Sequence, residues 1–287
     1  MGSIGGPDLY GSMRLSPDGK SLALDIFDSR RSRSEVWVVD LSSGARTKLV
    51  SGDSQNSNPI WSPDGDRVAF ASDRKAKGVH TDIWLKSIHG GTEEPLLESA
   101  DSRTPEDWSR DGRFLSYNVI PVMGRRNLQI WVADLASGRK STAFQTAALF
   151  QFESRISSDG RWLAFSSDES GRTEIYVVPF PSGTGKWQIS SAGGTLPRWR
   201  RDGRELYFLS VDNKIMSVPV QADPAFHAGS PAPLFAVHPN VGSGFGSGVF
   251  DVTSDGQRFL VNSLPADLSS PPLTLIANWS ATLAKKK

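Results

Sequence analysis

The sequence predicts an all-β protein, a six-bladed β-propeller whose four-stranded antiparallel blades surround a central channel and are closed by an N-terminal strand. Three observations carry this expectation. An Asp-Gly pair recurs six times, at Asp18, Asp64, Asp111, Asp159, Asp202 and Asp255, with spacings of 46, 47, 48, 43 and 53 residues. That is the period of one propeller blade, roughly 40–50 residues. The flanks of the pair repeat with it, and no segment has sustained helical periodicity.

The elements of one unit follow in order. An apolar residue stands three positions before each Asp: Leu15, Trp61, Trp108, Ile156, Trp199 and Val252. After each Gly, apolar residues alternate at the third and fifth positions, as in Leu22/Leu24, Val68/Phe70, Leu115/Tyr117, Leu163/Phe165, Leu206/Phe208 and Phe259/Val261. A period of two marks strands. The Asp-Gly between them marks a hairpin, since Asp can bond its own backbone and Gly accepts φ > 0. A third strand carries a central aromatic, Trp37, Trp84, Trp131 or Tyr176, and a Ser-Gly or Gly-Gly turn leads into a weaker fourth. A sandwich lacks this higher-order period.

The whole chain, 1–287, reads as a single domain with blade cores near 10–50, 57–98, 104–145, 152–190, 196–237 and 248–281. Unit 5 runs long, through the Gly/Ser run Gly242–Gly248. Unit 6 has a third strand within Pro272–Ala281 and no residues for a fourth, so residues 1–9, around Ser3-Ile4, are expected to supply it beside Leu273–Trp279. An open edge would be a liability.

Composition narrows the function classes. The 287 residues hold 32 Lys+Arg against 31 Asp+Glu, a net charge of +1. No global field draws in nucleic acid or an anionic membrane. No run of about 18 apolar residues is present, so no direct membrane insertion is expected. Met1–Asp8 lacks the basic and apolar regions of a signal peptide and reads either as an added expression start or as the start of a chain cut from something longer. Cysteine is absent, which excludes disulfides and thiolate chemistry.

Catalytic and metal signatures are missing. The run Gly242–Gly248 places no Ser between two Gly at nucleophile-elbow spacing. His80, His89, His227 and His238 share no zinc spacing. Asp168–Glu174 lacks the ligand pattern of a calcium loop and reads as a β-turn whose Glu174 braces the next strand. No cofactor and no catalytic residue is predicted. The repeated Asp residues read as turn scaffold, and Trp61, Trp108 and Trp199 as inter-blade core.

One column stands apart. The residue before each repeated apolar position is Arg14, Ile60, Asp107, Arg155, Arg198 or Asp251. The first strand of a blade is innermost, so this column should line the channel. Mutual ion pairing would merely neutralise a wet channel. The functional alternative is a mouth where Arg14, Asp107, Arg155, Arg198 and Asp251 hold a small anionic or zwitterionic ligand, a peptide or a protein terminus.

Ser62-Pro-Asp-Gly65, Ser167–Gly171 before Glu174-Ile-Tyr176, and Gly193-Gly194 before Pro197-Arg-Trp199 resemble the TolB-like, WD-repeat-like propeller family. Asp107–Leu115, Trp187-Gln188, Arg198–Gly203, Gln257–Asn262 and Asn278-Trp279 look like the C-terminal propeller of acidobacterial serine/threonine protein kinases. That resemblance implies a non-enzymatic sensory or interaction module, extracytoplasmic and monomeric when isolated. It carries no kinase motif into this chain. Alternatives are a hydrolase or lyase using the channel, or the non-catalytic propeller of a peptidase-like protein.

Overall fold

The computed structural model describes residues 2–4, 8–121, 127–144, 150–181, 185–223, 225–240, 248–263 and 273–277. Among these, five blades are each one uninterrupted stretch of chain whose strands lie in sequence order. The first blade comprises Leu9–Leu15, Ser21–Asp28, Arg33–Asp40 and Arg46–Val50. The second comprises Asn56–Trp61, Arg67–Ser72, Asp82–Ser87 and Glu94–Leu97. The third comprises Ser102–Trp108, Phe114–Ile120, Gln129–Asp134 and Lys140–Ala143, and the fourth Gln151–Ile156, Trp162–Ser167, Glu174–Pro179 and Trp187–Gln188. The fifth starts with Thr195–Trp199, Glu205–Leu209 and Lys214–Gln221.

The expected ring of six equivalent four-stranded blades is corrected on two counts. Sequence-continuous blades number five, not six. The remaining sheet is composite, in the order Gly2–Ile4, Leu273–Ala277, Arg258–Asn262, Phe250–Val252. It is joined from both ends of the chain because the last unit supplies three strands only, and Ser3 pairs with Thr274 and Ile4 with Leu273. Secondly, the fifth blade has five strands. Its eight-residue strand Lys214–Gln221 pairs along its first half with Ala232–Ala236 and at its end with His227–Ala228. A blade edge of that length accepts two short partners in succession.

The Asp-Gly hairpins have the chemistry read from the sequence. Asp18, Asp64, Asp111, Asp159, Asp202 and Asp255 each accept the backbone N–H two residues on, at 3.0–3.1 Å. In five turns a Ser or Thr hydroxyl two residues earlier donates to the same carboxylate. In the fifth blade Arg200 takes that place through Nε and Nη2. Hydroxyl donors hold Asp18, Asp64, Asp111 and Asp255 below the usual carboxylate range.

The core is divided among blade interfaces. One cluster joins Ala69 and Ile83 of the second blade to Leu115 and Tyr117 of the third. Another joins Ile130 and Val132 to Leu163 and Phe165, and a third joins Ile175 and Val177 to Leu206 and Phe208. Tyr207 and Ile215 pack on Phe250 and Phe259 of the composite sheet, whose Leu260 in turn packs on Tyr10 and Leu22 of the first blade. Burying each such side chain contributes about 1.5–3 kcal/mol, so the hydrophobic energy of this fold is stored between neighbours around the ring. Trp61 belongs to the interface of the first two blades, while Trp108 and Trp199 pack against their clusters partly exposed.

Two substitutions separate turn chemistry from interface packing. Gly112 lies at φ +77° with nothing near a would-be Cβ, so Gly112→Ala should cost about 1 kcal/mol from backbone strain alone. Leu115, fully buried three residues later, should cost about 2–5 kcal/mol on Leu115→Ala. Urea denaturation of both variants measures the difference.

Candidate functional site: a polarised central channel

The innermost strand of every continuous blade carries a register shift: Tyr10/Met13, Ser57/Ile60, Pro105/Asp107, Phe152/Arg155 and Thr195/Arg198. Asn58, Glu153 and Leu196, at the irregularity, have φ values of +52°, +59° and +60°. Such bulges re-aim the residues beside them. Here they turn backbone N–H groups towards the neighbouring blade, where buried carboxylates accept them.

Asp25 Oδ1 accepts Ser12 N–H at 3.0 Å and Asn58 N–H of the second blade at 3.2 Å. Glu106 of the third blade accepts Glu153 N–H at 2.6 Å and Ser154 N–H at 2.7 Å from the fourth. Glu153 accepts Leu196 N–H of the fifth at 2.6 Å. Each carboxylate thus clamps the following blade by charge-assisted hydrogen bonds.

Past the bulge, all six residues of the column face one cavity of about 410 Å³, which also touches the Asp-Gly turns at Pro17, Gly19 and Ser254. The column is therefore brought together. Its polar groups mostly lace blade to blade and seldom pair with one another. Asp107 accepts Ile156 N–H at 2.7 Å, and Asp251 accepts Leu15 N–H at 2.8 Å. Where the column residue is Arg14 or Arg155, its carbonyl accepts the indole N–H of Trp61 or Trp199 from the next blade, each at 3.0 Å. Arg198 Nε lies 3.3 Å from Asp251 Oδ1, an ion pair between two members of the column.

The three guanidinium groups share a conformation. Nη1 of Arg14, Arg155 and Arg198 donates to the carbonyl just before it, of Met13, Ser154 and Pro197. Arg155 also donates to Glu106 O at 2.7 Å. Arg155 and Arg198 are 5% and 3% exposed, and the Nη2 of each lacks a hydrogen-bond partner among the described residues. Burial and the neighbouring Arg198 guanidinium push Arg14 down to about 10, so it stays charged at neutral pH.

Arg110 and Arg201 stand exposed at this same mouth. Five arginines therefore meet Asp107 and Asp251 there. Arg14 and Arg155 also reach a second cavity of about 600 Å³ on the opposite face, formed at the starts of the innermost strands. That mouth holds Asp25, Glu106 and Glu153. The channel is basic on the turn face, acidic on the other, with an arginine waist between.

The column reading missed the three carboxylates. A signal for one was available. The sixth residue after each turn Gly is Asp25, Ala71, Asn118, Ser166, Leu209 or Asn262, all buried. Asn118 and Asn262 donate to Gln151 O and Tyr10 O of the following blade, as Asp25 accepts from Asn58. Glu106 and Glu153 follow no repeat and had no such signal.

The candidate histidines and Glu174 lie outside the linings of these two cavities. His89 is exposed 3.4 Å from Asp66, and His80 lies 3.9 Å from Asp82. No group of three potential metal ligands occurs among the described residues. Glu174 is buried, receiving Gly193 N–H at 3.0 Å and Arg172 Nε at 2.6 Å. Residues 241–247 of the Gly/Ser run, and Asn278-Trp279, lie outside the described residues.

Residues 7–120 match the profile of the family described as TolB beta propeller domain. The putative TolB of Agrobacterium tumefaciens superposes with a TM-score of 0.66 at 24% identity, covering 81% of this chain and 82% of that one. The fold is that of a TolB-like propeller. An oligogalacturonate lyase in complex with manganese shares this fold as well, with a TM-score of 0.63 at 14% identity over 96% of this chain and 76% of its own. In sequence, the chain is 24% identical to an uncharacterised peptidase, YuxL, of Bacillus subtilis over 184 residues, half of this chain and 28% of that protein. It is 30% identical to an uncharacterised protein, Atu1656, of Agrobacterium fabrum over 143 residues, covering 45% of this chain and 44% of that one. The chain thus spans less than half the length of either relative. No helix among the described residues is long and apolar enough to cross a membrane.

The buried carboxylates give the channel a pH signature. Burial pushes Glu106 up to about 7 and Asp107 up to about 6. A folded value above the unfolded one means that the folded state holds the proton more tightly. The associated stability is complete below the ordinary carboxylate values and falls as pH rises, through about 6 for Asp107 and about 7 for Glu106, by at most about 1.4 kcal/mol per pH unit for each group. The turn aspartates titrate below this window and leave it clear. Glu106→Gln should flatten the decline between pH 4.5 and 7, measured by urea denaturation across that range.

Proposed function

We propose that this chain is a non-enzymatic binding propeller whose basic mouth takes a small anionic or zwitterionic ligand, or the acidic end of a peptide or protein. The observation that carries this reading is the pair of buried guanidinium groups, Arg155 and Arg198, whose Nη2 atoms have no partner among the described residues. Buried charges are ordinarily paired, because an uncompensated one is costly to desolvate. A carboxylate or phosphate entering the turn-face cavity would supply the missing acceptors and could be gripped at two points. Arg110 and Arg201 at the rim would steer it inwards.

Recognition without chemistry is favoured because the carboxylates beside the arginines are committed to backbone N–H groups. At the basic mouth Asp107 and Asp251 bond the backbone N–H of Ile156 and Leu15, and a general base would need a free carboxylate facing the reacting group. In this reading the propeller serves a longer protein as a sensory or interaction module. The resemblance to kinase-associated propellers supports an extracytoplasmic receptor role, with the propeller itself monomeric. The match to a Bacillus peptidase favours a second reading, the non-catalytic propeller of a peptidase-like protein. A channel hydrolase or lyase has its support only in enzymes that share the fold.

Thermal-shift and calorimetric titration with citrate, acidic peptides and neutral sugars tests the proposal. Citrate should raise the melting temperature at low salt, and neutral sugars should not. Arg198→Ala, and the exposed Arg201→Ala as a variant that spares the fold, should each weaken citrate at least threefold. Absence of any anion effect, or full retention in both variants, overturns the reading. Turnover of generic ester, peptide or glycoside substrates would reassign the chain as an enzyme.

A further inference from the structure

The acidic mouth is unexplained by anion binding. Its cavity of about 600 Å³ is lined by Asp25, Glu106 and Glu153 together with the apolar side chains of Phe27, Ile120 and Phe152. The oxygens differ in how they are used. Asp25 Oδ1 accepts from Ser12 and Asn58, and both oxygens of Glu106 accept from the fourth blade. Glu153 Oε2 accepts Leu196 N–H at 2.6 Å and the Ser166 hydroxyl at 3.0 Å. Glu153 Oε1 accepts nothing among the described residues, in a side chain 3% exposed.

An unmatched buried carboxylate oxygen needs a donor, since desolvating it without one costs several kcal/mol. Arg14 and Arg155 reach this cavity from the waist, and no donor among the described residues, theirs included, is bonded to Glu153 Oε1. Asp25, Glu106 and Glu153 are gathered at this end beside Arg14 and Arg155. We propose that this cavity is a second binding site, for a primary ammonium group on an apolar stem, with Glu153 Oε1 as its acceptor.

The donor chemistry is set by the single free oxygen. A guanidinium matches a carboxylate with both oxygens open, and Oε2 is already committed. An ammonium is a compact point charge that one oxygen can satisfy. The apolar wall of Phe27, Ile120 and Phe152 suits an aliphatic stem. The two sites share Arg14 and Arg155 at the waist but are read through different residues, Glu153 here and Arg198 with Arg201 there, so either can fail without the other.

Calorimetric titration with n-hexylammonium, n-hexanol and N,N,N-trimethylhexylammonium tests it on the intact chain. Hexylammonium should bind at least tenfold more tightly than hexanol, and Glu153→Gln should reduce that preference to within about threefold. Citrate affinity should be unchanged in that variant, which separates this site from the arginine mouth. If Glu153→Gln fails to fold, the trimethyl compound decides on the wild-type chain, because it carries the charge without an N–H donor. Tenfold weaker binding of it supports a hydrogen-bonded ammonium. Equal binding of the two cations, or of hexylammonium and hexanol, overturns the proposal.

Discussion

Everything in this molecule hangs on how the innermost strand of one blade is fastened to the next. A propeller has no layer covering its core; each blade buries its apolar face only against its neighbours. The bulge in each continuous blade's first strand makes that fastening polar as well as apolar. In the second, fourth and fifth blades it frees N–H groups from the blade's own ladder, and the adjoining blade accepts them. Asp25, Glu106 and Glu153 do so towards the starts of the strands, and Asp107 and Asp251 likewise accept a neighbouring blade's N–H towards the ends. The indoles of Trp61 and Trp199 fasten in the reverse direction, donating to the column carbonyls. Closure by Gly2–Ile4 completes the ring on which all of these contacts depend.

The same fastening accounts for the channel's electrostatics. A carboxylate placed to accept backbone N–H groups brings its charge into the ring, and burial opposes that charge. Glu106 and Asp107, adjacent in sequence, bond Glu153, Ser154 and Ile156 of the fourth blade and are both pushed upward by desolvation. The arginines occupy the waist because their stems can lie along the inner strands while Nη1 reaches the preceding carbonyl. A channel built to hold six sheets together thereby acquires opposite polarity at its two mouths, and ligand recognition draws on groups whose first duty is structural.

Particular residues explain what could be read in advance. The turn Asp was legible because its bonds are local, reaching two residues forward, so the same spacing recurs in all six copies. The column Arg14 to Asp251 was legible because blade geometry places one position of every repeat on the channel. Its pairing was not, because mutual salt bridges and bonds to the next blade's backbone give the same sequence. Glu106 and Glu153 were invisible: the other copies hold Met, Pro, Ser or Phe at the first position and Ser, Asn, Pro, Leu or Val at the second, and each role appears only against a partner more than forty residues away. The fifth strand of the fifth blade was hidden for a similar reason, since two short segments share one long edge.

By itself the sequence determined the repeat, the hairpins and the blade core, all of which rest on local chemistry or on periodicity. The number of continuous blades, the extra strand, the clamping carboxylates and the two-faced charge of the channel were decided by the tertiary structure. They arise where different copies of the repeat meet, and a repeat unit carries no record of which groups its neighbour will leave unpaired.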